Sequence, residues 1–436
     1  MAMALKAVHV CDVPNLDQVP ENAALALCST RFRAGVNDEK ICECNIPKFL
    51  VVGHRGNGMN MLQSPDPRMK SIKENSILSF NEAAKFSIDF IEFDVQVSLP
   101  SLSSLSPNIA CPDIRPTACP AIKLTSTFLS NPPMVTKDDY PVIYHDNFVL
   151  HEEKGAIVEN RVTELALAEF LSYGPQKHPG SVMIFDLSLL IDHEGKPLYR
   201  KTKDGRFFEW KVEKDAPLCT LEEAFHNVDQ SVGFNVELKF DDFIVYKEEE
   251  LTRILKAILK VVFENAKGRQ ILFSSFQPDA ARLIRKLQST YPVYFLTNGG
   301  SEIYTDIRRN SLEEAIKLSL ENGLQGIVSE VKAVFRNPGA VGRIKESKLS
   351  LMTYGQLNNV PEVAYMQHLM GVEGVIVDLV KEISESVSDL THAKEGEEKS
   401  MYGEEDGKKE GKAKPQFSKD ELSFLLKLIP ELMIQA

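Results

Sequence analysis

Glu92 and Asp94 stand two residues apart in the stretch FIEFDVQV, Phe90–Val97, where Ile91, Phe93 and Val95 alternate with them. Such alternation reads as a β-strand, and in a strand residues two apart share a face. Two carboxylates held at ~7 Å repel by roughly 2 kcal/mol at an effective dielectric of about 20. Burial raises that cost. Either this is the wet face of an edge strand, or a cation sits between the two. Other residues of chemical type close neighbouring apolar runs: His54-Arg55 after FLVVG, His145-Asp146 after PVIY, and Glu237 and Lys239 within VGFNVELK.

The elements that must position them alternate in kind. Candidate strands cover 49–54, 90–97, 141–146, 232–239, 270–275, 292–297, 325–330, 349–354 and 374–378. Helical patterns lie between most of them, for example Ser76–Phe86, Thr220–Asn227 with a Thr220/Glu223 capping box, Glu248–Ala266 and Asn310–Asn322. Repeated β-α units with about eight strands predict an α/β chain folded as a (β/α)8 TIM barrel. An open doubly wound sheet is the alternative, but no glycine fingerprint follows the first strand. Nine candidates exceed eight by one. The second and third have no helix between them, so one of the two reads as a hairpin arm. In a barrel the C-terminal ends of the strands form the active face. Four successive chemical pairs there are hard to explain as solvated surface, because barrel strands are covered outside by helices. Glu92, Asp94 and Glu237 are therefore expected to hold a hard divalent cation.

Composition sets limits on the rest. The chain has 436 residues, a formal net charge of −12 and 43% hydrophobic residues, enough for one large core with appendages. The longest apolar runs, near 255–263 and 422–429, are shorter than a membrane span and are broken by lysine. No basic block interleaved with aromatics points to nucleic acid. The 7 cysteines are scattered, and Cys42 and Cys44 are too close for the usual zinc spacing. A reduced, intracellular chain is expected. Residues 1–47 read as a loosely ordered extension without a secretory apolar stretch and with only a weak transit signal.

Three stretches break the pattern. Ser98–Val135 is rich in Ser, Leu and Pro and splits EFDVQV from TKDDYPVIYHD, which would otherwise meet in a compact hairpin. We read it as a translated intron or gene-model artefact, against the alternative of an insertion at a tolerant hairpin tip. Transcript reads across the junction distinguish the two. Ser181–His193 is a weaker instance. Residues 393–416 form a charged, Gly-containing linker. Residues 417–436 then restart an amphipathic helix, capped by Ser418 and Glu421, expected to dock on the barrel or on a protein partner.

Taken together, GHRG (53–56), KENSILSFNEAA (73–84), FIEFDVQV, TKDDYPVIYHD, NVELK (235–239), FSSFQPD (273–279) and GVEGVIVD (371–378) resemble the glycerophosphodiester phosphodiesterase family, most of all its plant members. The likeness runs from Phe49 to Asp378, so the catalytic domain is set at 48–392. It implies a TIM barrel with a bound Mg²⁺ or Ca²⁺, Mg²⁺ being favoured, and hydrolysis of glycerophosphodiesters such as glycerophosphocholine or glycerophosphoethanolamine to glycerol 3-phosphate and an alcohol. It also implies roles. His54 and His145 form the general acid/base pair, Glu92, Asp94 and Glu237 hold the metal, and Arg55 and Lys239 hold the phosphate. Glu74 lines the site as a further ligand or as a helix-start residue. Structural pairing of Arg55 with Glu74 or Asp146, and of Lys239 with Asp241 or Asp242, stands beside those roles. His151, His226, His368 and His392 are assigned to helices or loops without chemistry. The long region between the third and fourth candidate strands, about 152–217, is expected to form an inserted subdomain over the site. A non-catalytic barrel and a bilayer-active phospholipase are the competing readings. The latter lacks an apolar or basic rim. Plastid location is favoured slightly over cytosol by analogy with plant relatives.

Overall fold

The structure, a computed structural model, describes residues 49–98, 139–176, 195–202, 204–242 and 244–388. The extension at 1–47, the segment after Ser98 up to Val135, Ser181–His193, His392, the linker and the C-terminal helix lie outside the described residues. Along the chain the strands are β1 Leu50–Gly53, β2 Phe90–Ser98, β3 Tyr140–Ile143, β4 Phe148–Glu153, β5 Ala156–Arg161, β6 Leu198–Lys201, β7 Phe207–Glu209, β8 Cys219–Thr220, β9 Gly233–Leu238, β10 Ile271–Ser275, β11 Val293–Thr297, β12 Gly326–Glu330, β13 Ser350–Tyr354 and β14 Gly374–Val377. The helices are α1 Ile77–Ala83, α2 Leu167–Phe170, α3 Leu221–Asn227, α4 Glu248–Asn265, α5 Pro278–Leu287, α6 Leu312–Glu321, α7 Val331–Arg336, α8 Gly339–Glu346 and α9 Pro361–Met370, followed by helical turns at 380–388.

β1, β2 and β9 through β14 pair in parallel, and β1 bonds to both β2 and β14, so the sheet closes on itself. This is the expected (β/α)8 barrel. The surplus strand candidate resolves as a hairpin arm. β2 is long enough to serve twice, its first six residues pairing in parallel with β9 and its tip, Val95–Ser98, pairing antiparallel with β3. Ser98 faces Tyr140 across that hairpin. The two arms therefore stay in register although the Ser/Leu/Pro-rich segment leaves from their tip.

Insertion of the subdomain between the third and fourth candidates means, in barrel terms, between the second strand and its helix α3. A separate antiparallel sheet, ordered β5-β4-β6-β7, makes its frame. Val142, Tyr144, Val149, Phe170, Tyr173 and Trp210 build its own small core. His151 needs a correction. It lies neither in a helix nor in a loop but in β4, buried and packed 5.1 Å from the Tyr173 ring. His226 and His368 sit in α3 and α9.

Local sequence explains the helix starts. Thr220 and Glu223 form the reciprocal capping box of α3, Ser76 caps α1 and Ser311 caps α6. The main core lies between strands and helices, where Ile91, Phe93, Val95, Phe234, Val236, Phe273 and Phe295 point outward. A smaller cluster of Val52, Phe90, Leu272, Leu296, Val328, Met352 and Ile376 fills the barrel interior. Among the described residues no helix is long and apolar enough to cross a membrane.

Candidate active site

The period of two carries the interior cluster upward into the site. Above Val52 on the inward face of β1 comes His54; above Phe90 on β2 come Glu92 and Asp94. Above Asn235 on β9 stand Glu237 and then Lys239, and above Ile376 on β14 stands Asp378. All lie at the C-terminal mouth of the barrel. The register aligns Asp94 with Glu237, so two of the three carboxylates stand side by side on adjacent strands.

Glu92, Asp94 and Glu237 are all buried, and each can offer an oxygen within 4.8 Å of those of the other two. The Oε1 of Glu92 is buried without a hydrogen-bond partner, while its Oε2 accepts from the Arg55 N–H at 2.9 Å. Burial and the neighbouring Asp94 charge push the Glu92 pKa up to about 8. Asp94 is held low instead. Burial works against its charge, but His145, Lys239 and Arg55 outweigh burial, and the Asn75 amide donates to it at 2.8 Å. Three carboxylates, one oxygen unpartnered and one proton retained for want of positive charge, are the donor set a hard divalent cation requires. The residues present fit such an ion.

The two histidines are oppositely tuned. His54 Nδ1 bonds to the Asp378 carboxylate at 2.7 Å, and its Nε2 lies 3.9 Å from Glu92. Burial alone would lower its pKa. The Asp378 charge and hydrogen bond outweigh burial and push it up to about 9. His145 Nδ1 bonds to Asp146 at 2.7 Å, yet burial and the Arg55 and Lys239 charges keep its pKa below the usual value. Replacing Asp378 by Asn is therefore expected to bring the His54 pKa well down from about 9, since burial would then dominate. Ring-proton NMR titration of metal-free protein checks this, and a value still near 9 would remove Asp378 as the cause.

The backbone beneath this cluster is strained. Arg55 and Asn75 adopt φ of 49° and 54°, a left-handed region that costs non-glycine residues on the order of 1 kcal/mol or more. The strain is held by the bonds just named and by Asn75 N–H donating to the Arg55 carbonyl at 3.0 Å. Arg55 Nη1 meets Glu74 Oε1 at 2.7 Å and its Nε lies 3.4 Å from Asp94. The structural pairing of Arg55 with Glu74 is thus present. Glu74 is not the start of α1, which Ser76 caps, and it lies outside the cluster formed by Glu92, Asp94 and Glu237. Arg55 and Arg200 take its Oε1, and the Asn60 N–H takes its Oε2. Lys239 does not pair with Asp241 or Asp242, which bond Arg161 and Arg309. It turns inward, 3.0 Å from Glu237 and 3.6 Å from Asp94.

The family model described as glycerophosphoryl diester phosphodiesterase matches residues 54–99 and 134–382. The chain belongs to that family. The two matched blocks stop and resume on either side of the Ser/Leu/Pro-rich segment. It is 52% identical, over 99% of both chains, to the Arabidopsis thaliana protein named glycerophosphodiester phosphodiesterase GDPD1, chloroplastic. It is equally 52% identical, over 95% of this chain and 99% of the relative, to A. thaliana glycerophosphodiester phosphodiesterase GDPD3. At 30% identity it is similar to the Schizosaccharomyces pombe glycerophosphocholine phosphodiesterase gde1, over 80% of this chain and 29% of that much longer protein. Among solved structures, a Silicibacter pomeroyi protein assigned to the same family superposes with a TM-score of 0.50 at 16% identity, over 78% of this chain and 94% of its own. That likeness concerns the fold.

Three residues of this family member went unassigned in the sequence reading. Asp378 ends the last strand, the position at which every other chemical pair was found, so its signal was available. Arg200 and Trp210 lie in the insertion, where no period links them to the barrel, and only folding places Arg200 beside Glu74 and Asp146 and Trp210 beside Asn60.

Proposed function

We propose that this chain hydrolyses water-soluble glycerophosphodiesters of the glycerophosphocholine and glycerophosphoethanolamine type to sn-glycerol 3-phosphate and the free alcohol, with a divalent cation, Mg²⁺ favoured over Ca²⁺. The observation that carries this reading is the buried Glu92–Asp94–Glu237 cluster, with its unpartnered oxygen, beside two histidines of opposite tuning. Family membership and the names of the plant relatives point the same way.

Glu92, Asp94 and Glu237 would hold the cation, whose contribution when bound is to draw charge from the phosphate and so lower its resistance to a nucleophile. Arg55 and Lys239 add fixed positive charge for the phosphate oxygens. The opposed histidine environments divide the proton work. Asp146 is ionised and only accepts, so Nδ1 of neutral His145 carries the proton and its Nε2 is left bare to act as general base. His54, protonated at neutral pH, is the general acid. His145 takes a proton from the attacking water as the water oxygen bonds to phosphorus. The bond to the alcohol oxygen breaks, and His54 returns a proton to that oxygen. We place the enzyme in the plastid, a reading supported by a relative named chloroplastic that aligns over 99% of this chain.

Turnover of glycerophosphocholine by purified full-length protein, read as glycerol 3-phosphate with Mg²⁺, with Ca²⁺ and with EDTA, is the test. Cation-dependent release, abolished by EDTA, is expected. No release under any of these conditions would overturn the reading.

A further inference from the structure

Arg200 belongs to the inserted sheet, on β6, yet every partner of its guanidinium but one lies outside that sheet's strands and on the barrel mouth. Nε donates to Asp146 Oδ2 at 3.0 Å, Nη2 to Glu74 Oε1 at 2.6 Å and Nη1 to the Asn60 carbonyl at 3.3 Å. The remaining partner is the Trp210 ring, over which the guanidinium lies at 3.7 Å. Trp210 is itself fixed by its indole N–H to Asn60 Oδ1 at 2.9 Å and faces Lys73 Nζ at 4.0 Å. Asp146 uses its other oxygen for His145 Nδ1. A planar fork with five donors can serve three acceptors and a π-face together; a lysine cannot.

We propose that Arg200 is a positioning residue through which the inserted subdomain sets the His145 ring, by clamping Asp146 against the Glu74 loop. The inference rests on the hydrolase reading of the site. Asp146 is partly open to water and sits on a loop after β3, where its carbonyl accepts from Gln96 Nε2 of β2 at 2.9 Å and, among the described residues, its carboxylate has no partner on a barrel strand. Without Arg200 the carboxylate keeps only its bond to His145 Nδ1, so carboxylate and ring can turn together and the His145 ring loses its fixed direction while every group that touches substrate remains.

The test is Arg200→Met, with Arg200→Lys as a second variant that keeps stem and charge but lacks the fork. The first readout is steady-state kinetics on glycerophosphocholine with Mg²⁺. A fall in kcat of about 10- to 100-fold with KM within about threefold is expected, smaller for the lysine variant. The second readout needs no turnover. The His145 Nδ1–H signal, assigned by its loss in His145→Gln, should be slowly exchanging in the wild type and exchange-broadened in Arg200→Met. In the Asp146→Asn background, Arg200→Met should add less than twofold to the loss in kcat. Unchanged kcat with an unchanged His145 signal would overturn the proposal, as would losses that simply multiply in the double variant. A melting temperature lowered without either effect would also overturn it, marking Arg200 as structural only. A silent wild type whose His145 signal still depends on Arg200 would remove the hydrolase reading and leave the positioning role standing.

Discussion

Replacing His54 or His145 by Ala is expected to cut kcat by about 10²- to 10⁴-fold, the span usual for a lost general acid or base. Neither change should unfold the protein, since both rings lie at the mouth rather than in the core. The two variants should differ in what restores them. With a p-nitrophenyl ester of glycerol phosphate the departing oxygen needs no proton, so His54→Ala should recover most of its rate while His145→Ala should not. In the wild type, kcat/KM should fall on the acid side as His145, whose pKa is held below 6.5, becomes protonated. It should fall on the alkaline side as His54 loses its proton near pH 9. Recovery of His145→Ala alone with the activated ester would reverse the assignment.

Glu92→Gln should be inactive and, in EDTA, more stable than the wild type. The sign follows from linkage. The folded pKa of about 8 stands above the ordinary carboxylate value of 4.5. Its contribution to stability is therefore intact below pH 4.5 and is lost as pH rises through 8. Above pH 8 the burden on the folded state is on the order of 4 kcal/mol. His54, raised to about 9, adds a loss of the same sign between pH 6.5 and 9. Glutamine keeps the shape, still accepts from the Arg55 N–H and has no charge to bury. At pH 8 without metal it should melt on the order of 5 °C above the wild type. Mg²⁺ should raise the wild-type melting point and leave Glu92→Gln almost unmoved. A variant that melts below the wild type in EDTA would mean that the three carboxylates do not strain the metal-free fold.

The barrel was legible because its signals are local. Strand candidates matched β1, β2 and β9 to β14 within a residue or two, and the Thr220/Glu223 box marked α3. The site was legible because strand ends of a barrel converge, so Glu92, Asp94, Glu237, His54 and His145 could be gathered without knowing any distance. What escaped was long-range and side-chain specific. The sequence suggested Asp241 or Asp242 for Lys239 through proximity in the chain, whereas the pleat turns Lys239 to the face of Glu237. Glu74 stood open between a further ligand and a helix-start residue. Only its two arginines, one from the insertion, show that both oxygens are engaged. Arg200 carries no period and no motif, and its role depends on where β6 lands.

The bond from His54 to Asp378 joins groups 324 residues apart in the chain, and β1 closes onto β14 in the same place. Synthesis proceeds from the N-terminus, so His54 leaves the ribosome among the first residues of the domain and Asp378 among the last. A nascent chain that has already delivered Glu92, Asp94, Glu237, Arg55, His145 and Lys239 still has no Asp378 for Nδ1 of His54. It has also left an open edge on β1. The finishing of the ring and the pairing of His54 with Asp378 are thus one event. No N-terminal fragment that stops short of β14, whether from arrested translation or from proteolysis, can have His54 held by Asp378.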